Sequence, residues 1–524
     1  MPINNRLRRW GRRSTAVVAT AIVAALSLSA CSTGAPAEAG GEKPSLTIAL
    51  ATPPTSLDPS KGSGGSNATF QLPAYSTLLH LADVGGDPVP ALAESYEWLD
   101  ETNQTLQITL RDGLKFSDGT ALDSAAVKTS IEHFTSGGSV FSYVALPIAS
   151  IDTPDDVTVV FNLAQPTPTF PSDLAEGPGM GSIISPAALS GDVDALGTST
   201  VGAGPYMLSK DGTVEGSEYR YVPNPEYYDA DAVAYSSVII KVIADPNTAL
   251  ASLQSGQLDI SYAYPDTFKQ AKAAGVNAGV YNTDVDGLWI QDWTGALIPA
   301  LGDERVRQAI NFALDREAIT EAITLGLGTA TLQTPVEGTL GYDQALEETY
   351  PYDVAKAKEL LQEAGYADGF ELPIIVPSFI PTANGLAQAI AAQLGEVGIT
   401  VTITGSSTFP EYAQAQEGGT FGGTVVPLTM SQGVPSALGN VFSPQGLVNP
   451  RHNELPEVLA SADAAAAQTG DAATAAWQQT NTMLVDGAYA APVMTEPIIF
   501  YYTDKVGSLS GSGVLNPVFV TPAS

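Results

Sequence analysis

The sequence has one cysteine, Cys31, and three histidines, His80, His133 and His452, among 524 residues. A lone thiol excludes a disulfide framework within the chain. No two histidines stand at metal-ligand spacing, so a Cys/His zinc site is not expected either. Basic residues are scarce: 22 Lys and Arg stand against 56 Asp and Glu, for a formal net charge of -34. That balance disfavours nucleic acid and anionic membrane surfaces as partners. After the first thirty residues no apolar run approaches the about 20 residues of a membrane-spanning helix. No G-x-S-x-G elbow, Walker phosphate loop or dinucleotide-binding glycine word follows a strand. Gly177, Gly179 and Gly181 cluster without a strand-to-helix setting and read as loop. Adjacent acids such as Asp155-Asp156 are expected by chance in so acidic a chain. Neither an enzyme nor a resident metal or cofactor is expected.

What is present begins at the N-terminus. Arg6, Arg8, Arg9, Arg12 and Arg13 precede an apolar stretch from Ala16 to Leu28, which Leu28-Ser29-Ala30-Cys31 closes. Charged, apolar and small-residue segments in that order make a secretory signal. The small-residue site ending in cysteine resembles the lipobox of bacterial lipoproteins. The resemblance implies cleavage before Cys31 and a thioether-linked lipid on it; a plain signal with an incidental cysteine is the alternative. Arg12-Arg13 leaves open whether export is Sec or twin-arginine. The reading is therefore a signal peptide over 1–30 and a flexible tether over 31–44, where STGAPAEAGGEKP is small, polar and rich in Pro and Gly. Loss of the five arginines leaves 17 basic against 56 acidic side chains on a body outside the cytoplasm, held to the cell membrane by its lipid.

The remaining chain alternates strand and helix patterns. Ser45 to Leu50, Gln104 to Leu110, Val157 to Leu163 and Val238 to Ile243 read as strands. Asp123 is placed to cap a helix to Phe134, and Asn247 to Ser255 is a helix between two strands. Asp303 is placed to cap one long helix to Leu325, with Gly326 as its stop. Asp353 caps a helix to Ala364, and Leu386 to Val397 makes another before the strand Thr400 to Ile403. Ile498 to Tyr502 and Val518 to Val520 return to strand. The expected class is mixed α/β with open sheets in more than one lobe.

Several longer words resemble one family. Pro88-Val89-Pro90-Ala91-Leu92-Ala93-Glu94-Ser95 leads to Leu110-Arg111-Asp112-Gly113-Leu114-Lys115-Phe116-Ser117-Asp118-Gly119-Thr120. Gly202-Ala203-Gly204-Pro205-Tyr206 follows, then Leu253-Gln254-Ser255-Gly256-Gln257-Leu258-Asp259-Ile260, then Asp303-Glu304-Arg305-Val306-Arg307-Gln308-Ala309-Ile310 and Ala357-Lys358-Glu359-Leu360-Leu361. In this order they resemble the peptide/nickel-type (dipeptide- and oligopeptide-binding, family 5) solute-binding proteins of ABC importers, over nearly all of 45–520. The resemblance implies a two-lobed periplasmic-binding-protein-like fold of type II, in its large cluster C form, with mixed sheets and a hinge cleft. Lobe I would hold 45–290 and take back 497–524; lobe II would hold 291–496. It also implies a monomer that captures peptides or similar organic solutes and hands them to a permease. The alternatives are an oligosaccharide or another non-peptide organic ligand and, from other classes, a structural surface lipoprotein or an enzyme. With so few histidines nickel is not expected. Arg305 and Arg307 are read as a charged helix face supporting the fold.

The candidate site lies near the first hinge. Tyr262 and Tyr264 follow Asp259-Ile260. In Leu288-Trp289-Ile290-Gln291-Asp292-Trp293, a strand would put Trp289, Gln291 and Trp293 on one face. They would either stack on a ligand or pack between the lobes, and Asp292 beside them could pair with a cationic group. Peptide binders of this family usually carry an aspartate in the segment corresponding to 425–442, against the ligand's amino terminus. Here no acid occurs between Glu417 and Glu454. Thr429, Ser431 and Gln432 are left to hydrogen-bond hydroxyls, amides or a blocked terminus. Either Asp292 or another acid substitutes, or the ligand lacks a free amine.

Overall fold

A computed structural model describes residues 43–62, 65–81, 86–139, 141–509 and 513–523. The signal sequence, Cys31 and all but the end of the tether lie outside the described residues. Lys43–Ser524 forms one compact unit. Its largest feature is an 11-stranded mixed sheet. From one edge the strands run Ile399–Ser406, Phe370–Pro377, Gly423–Val425, Asn277–Ile290, Ala491–Tyr502, Ile260–Ala263, Ser45–Leu50, Ser237–Val242, Glu218–Pro223 and Tyr206–Leu208, with Leu428–Thr429 added beside Asn277–Ile290. A separate antiparallel sheet orders Ala93–Trp98, Thr105–Leu110, Thr158–Leu163 and Ile148–Asp152.

The sheet is continuous, but the cores it serves fall into two groups. Leu46, Ile48, Tyr221 and Ile240 belong to one core of the N-terminal half, and Leu106, Val127, Phe134 and Phe161 to another. In the C-terminal half Val306, Ile310, Leu386 and Ile374 share one core, and Val285, Trp289, Tyr412 and Trp477 another. Two long strands link the halves. Asn277–Ile290 and Ala491–Tyr502 pair antiparallel from Asn277↔Tyr502 to Leu288↔Ala491. The first also pairs with Gly423–Val425, and the second with Ile260–Ala263. Each strand therefore enters both halves, and any change in their relative angle must bend this pair.

The pair is irregular where it crosses. Register shifts fall between Asn282 and Asp284 and between Asp286 and Gly287. At the second, Gly287 lies so close to its partner strand that a Cβ would come within 2.5 Å of the Ala491 carbonyl oxygen and the Pro492 Cα. Backbone cannot yield as a side chain can, so Gly287→Ala is expected to cost about 1–3 kcal/mol by overpacking. Chemical denaturation checks this; an unchanged midpoint would show that the two strands slide apart freely.

Local chemistry explains most element boundaries. Asp123, Asp245, Asp303 and Asp353 each accept a backbone N–H from the first turn of the helix that follows. Pro381 starts the helix Pro381–Glu396 five residues before the apolar periodicity suggests, because its fixed φ suits a first helical position. Three expectations are corrected. The long helix from Glu304 is two, Glu304–Phe312 and Arg316–Thr324, because Asp315 turns its side chain onto the Ala318 N–H and caps a new start. Val518 to Val520 is turn, and the short strand is Thr521–Pro522. Arg307 does not lie on a solvated face: it is 4% exposed and donates to the Gly487 and Leu301 carbonyls, whereas Arg305 is outside, paired with Asp303.

Candidate functional site

A cavity of about 1320 Å³ lies where the two crossing strands meet the halves. It exceeds the about 300–1,000 Å³ of ordinary small-ligand sites. The N-terminal half contributes Trp98, Tyr143 and Asp173; the C-terminal half contributes Thr429, Gln432 and Trp477. Asp284 and Glu496 come from the crossing strands themselves. Among the described residues three hydrogen bonds join the halves around it: Tyr143 Oη donates to Asn440 Oδ1 at 3.1 Å, Gln432 Nε2 to Asp173 Oδ1 at 3.4 Å, and Asn103 Nδ2 to the Ala466 carbonyl at 3.3 Å.

Five of the residues anticipated from sequence line this cavity: Tyr262, Tyr264, Thr429, Ser431 and Gln432. Tyr262 is on the strand Ile260–Ala263, and Tyr264 is the single residue connecting that strand to the helix Pro265–Ala273. Their rings meet edge-on at 5.3 Å, and Tyr262 meets Phe500 likewise at 5.7 Å. This aromatic wall continues the sheet's ladder, where Tyr262 and Phe500 are register partners.

The other four anticipated residues are elsewhere. Trp289 is fully buried, and its indole N–H donates to the Val426 carbonyl at 2.7 Å. Gln291 is buried and donates to Gln416 and to the Val448 carbonyl. Trp293 packs against Phe442 and Tyr489. Asp292, also fully buried, accepts the N–H groups of Ala296, Leu297 and Ile298 and lies 3.4 Å from the Arg451 guanidinium. The strand ends at Ile290, so the shared face expected of Trp289, Gln291 and Trp293 does not continue. They build the core of the C-terminal half, and Asp292 closes a turn; none lines the cavity.

The carboxylates at the cavity come from segments that sequence reasoning passed over. The shift at Asn282/Asp284 sets Asp284 directly opposite Glu496. Like charges facing each other on adjacent strands repel. Asp286 is fully buried nearby, and neither its Oδ2 nor Glu496 Oε2 has a hydrogen-bond partner among the described residues. Burial and the Glu496 charge push Asp286 well above the usual carboxyl range, which favours its protonated form. Burial pushes Glu496 up to about 7, against the hydrogen bond from Thr382. Asp284 is raised by burial too, though Thr429 and Thr283 hydrogen-bond it. Burial likewise pushes Asp173 up to about 7, opposed by the Gln432 amide. The sequence did hold a signal: Thr283-Asp284-Val285-Asp286 and Met494-Thr495-Glu496-Pro497-Ile498 set acids inside otherwise apolar strands. Each acid in such a strand must find a partner or lose its charge.

Among the described residues no group of three His, Cys, Asp or Glu is arranged to hold a metal ion. His133 bonds Asp58 and Ser60, and His80 bonds Glu176, so both serve the fold of the N-terminal half.

A sequence profile of bacterial extracellular solute-binding proteins, family 5, matches residues 87–445. The chain is 30% identical over 368 residues to the glutathione-binding protein GsiB of Pectobacterium atrosepticum, covering 68% of each chain. Among solved structures, AgaA from A. tumefaciens R10 in complex with agropinic acid superposes with a TM-score of 0.80 at 25% identity, over 92% of this chain and 99% of that one. DppA from Helicobacter pylori, in complex with the peptide STSA, gives 0.79 at 20% identity, over 92% and 98%. The fold is that of periplasmic binding proteins, and the chain belongs to the family 5 extracellular solute-binding proteins of ABC importers.

Proposed function

We propose that the protein captures a peptide-sized organic solute in the 1320 Å³ cavity and delivers it to a membrane permease. The observation that carries this reading is the lining of one cavity by both halves and by the two strands that connect them. Residues 45–290 with 497–524, and 291–496, then act as lobes. A ligand touching both favours the closed arrangement by its differential contacts. The relatives named above take glutathione, a peptide or agropinic acid, so likeness alone does not choose among them. Tyr262, Tyr264, Thr429, Ser431 and Gln432 are the ligand-facing residues on this reading; Trp289, Gln291, Asp292 and Trp293 support them from the core.

Mass spectrometry of material co-purifying with the mature protein, followed by calorimetric titration of the solute found, tests the reading. One saturable site with the solute recovered unchanged is expected. Chemical conversion of the solute would overturn it in favour of an enzyme.

The lipobox-like Leu28-Ser29-Ala30-Cys31 supports a lipid anchor on Cys31. Cys31→Ser is expected to release the protein into the medium or leave its signal uncleaved. A variant that stays membrane-bound and normally processed would show that anchoring does not use this thiol.

A further inference from the structure

The charge of the cavity is one-sided. Asp87, Asp173, Glu176, Asp284, Asp463 and Glu496 line it, and among its described lining residues there is no Lys, Arg or His. Asp87 and Asp463 are exposed at its edge. Glu176 is already satisfied by His80, by the Leu81 N–H and by Asn516. Asp173, Asp284 and Glu496 lack a cation: threonine hydroxyls hydrogen-bond Asp284 and Glu496, but no described Lys, Arg or His forms an ion pair with any of the three. Asp173 is 9% exposed, and among the described residues the one hydrogen bond to its carboxylate is the long one from Gln432. Asp284 and Glu496 face each other across adjacent strands with nothing positive between them. A second, separate feature concerns a donor. Trp477 lines the cavity, is 4% exposed, and its indole N–H has no partner among the described residues. A buried donor without an acceptor is costly, and a ligand carbonyl would satisfy it.

These features specify a ligand more narrowly than the family does. A free carboxylate on the solute would enter a cavity with several uncompensated acids and no cation to receive it. An ammonium or guanidinium would meet two waiting acceptor sites. A metal ion is a poor fit, since among the described residues no three ligands are grouped to hold one. Resting on the solute-capture reading above, we propose that the cavity takes an organic cation that carries no free carboxylate. It would be an amine- or guanidine-bearing amide, such as a basic peptide with a blocked carboxyl end. Asp173 holds one positive group, the Asp284/Glu496 pair holds another, and the Trp477 N–H takes a carbonyl of the ligand. Glutathione, which carries two carboxylates and one amine, does not suit this cavity.

The test is calorimetric titration of the whole mature protein with four probes: Lys-Ala-Lys amide, Lys-Ala-Lys free acid, the N-acetylated amide and glutathione. The amide is expected to bind at least about tenfold tighter than the free acid, a difference of about 1.4 kcal/mol. Acetylation is expected to weaken the amide, and glutathione not to bind. Asp173→Asn and Glu496→Gln should each weaken the amide by about tenfold or more while the melting temperature is kept or raised. Equal or tighter binding of the free acid, or saturable binding of glutathione, overturns the cation proposal and leaves solute capture standing. Unchanged amide affinity in both variants overturns the assignment of these carboxylates. Failure of all four probes, with a neutral or anionic solute recovered by mass spectrometry, overturns the cation proposal alone. Failure together with no co-purifying solute of any kind overturns both readings.

Discussion

Trp289→Ala is expected to cost about 3–5 kcal/mol of stability, because it empties a fully buried indole site in the core of the C-terminal half and removes a satisfied hydrogen bond. Trp293→Ala should behave similarly, somewhat more mildly, since its N–H has no partner to lose. Ligand affinity of the folded fraction should be unchanged for both. Denaturant titration alongside calorimetry separates the two quantities. A weakened ligand with an unmoved denaturation midpoint would return these tryptophans to the binding surface. The same logic applies to Asp292. It holds three backbone N–H groups and an arginine, so its loss should unfold rather than unbind.

The second large effect concerns pH. In the unfolded chain the Asp173 and Glu496 carboxyls ionise near pH 4. In the fold both keep their protons up to about pH 7. Between these values the native state binds more protons than the unfolded one, so stability is full below about pH 4 and falls as pH rises to about 7. The groups facing Asp173 are Gln432 and Tyr143, and those facing Glu496 are Asp284, Asp286, Thr382, Tyr262 and Tyr264; none is positive. Asp173→Asn removes one such penalty. It is expected to raise the stability of the empty protein at pH 8 by about 2–4 kcal/mol and to change it little at pH 4. Equal effects at both pH values would mean that Asp173 ionises normally in the fold. A cationic ligand should bind more tightly as pH rises from 6 to 8, opposite in sign to the stability of the empty protein.

Much of the fold was legible because it rests on local chemistry. Asp caps, glycine stops and alternating apolar strands mark Ser45–Leu50, Ser124–Ser136 and Val354–Glu363 to within a few residues. Asp315 escaped notice because its neighbours keep a helical periodicity right through the break. The site was less legible. Trp289, Gln291 and Trp293 were read as a continuing strand, and a face assigned by alternation is worthless one residue past a strand's end. Asp284 meets Glu496 through a one-residue register shift between segments more than 200 residues apart in sequence. Without the shift Thr283 would stand opposite Glu496, and no local pattern announces such a bulge. The missing acid in 425–442 left open whether another acid substitutes or the ligand lacks a free amine, and no local pattern chose between them. Gln432 and Thr429 of that segment receive their carboxylates from Asp173 and Asp284, which lie on other elements.

The placement of the indoles has an optical consequence. Beyond residue 42 the sequence has four tryptophans, Trp98, Trp289, Trp293 and Trp477. Trp98 and Trp477 line the cavity from opposite halves, while Trp289 and Trp293 are sealed in the core. The protein's emission therefore divides into a sealed component, Trp289 and Trp293, and a cavity component in which Trp98 is open enough to meet a collisional quencher such as acrylamide while Trp477, 4% exposed, is not. Occupancy should shield only the second, and satisfying the Trp477 N–H should move its emission to longer wavelength. Phenylalanine at 289 and 293 would leave that signal alone, giving the protein an intrinsic reporter of whatever enters it.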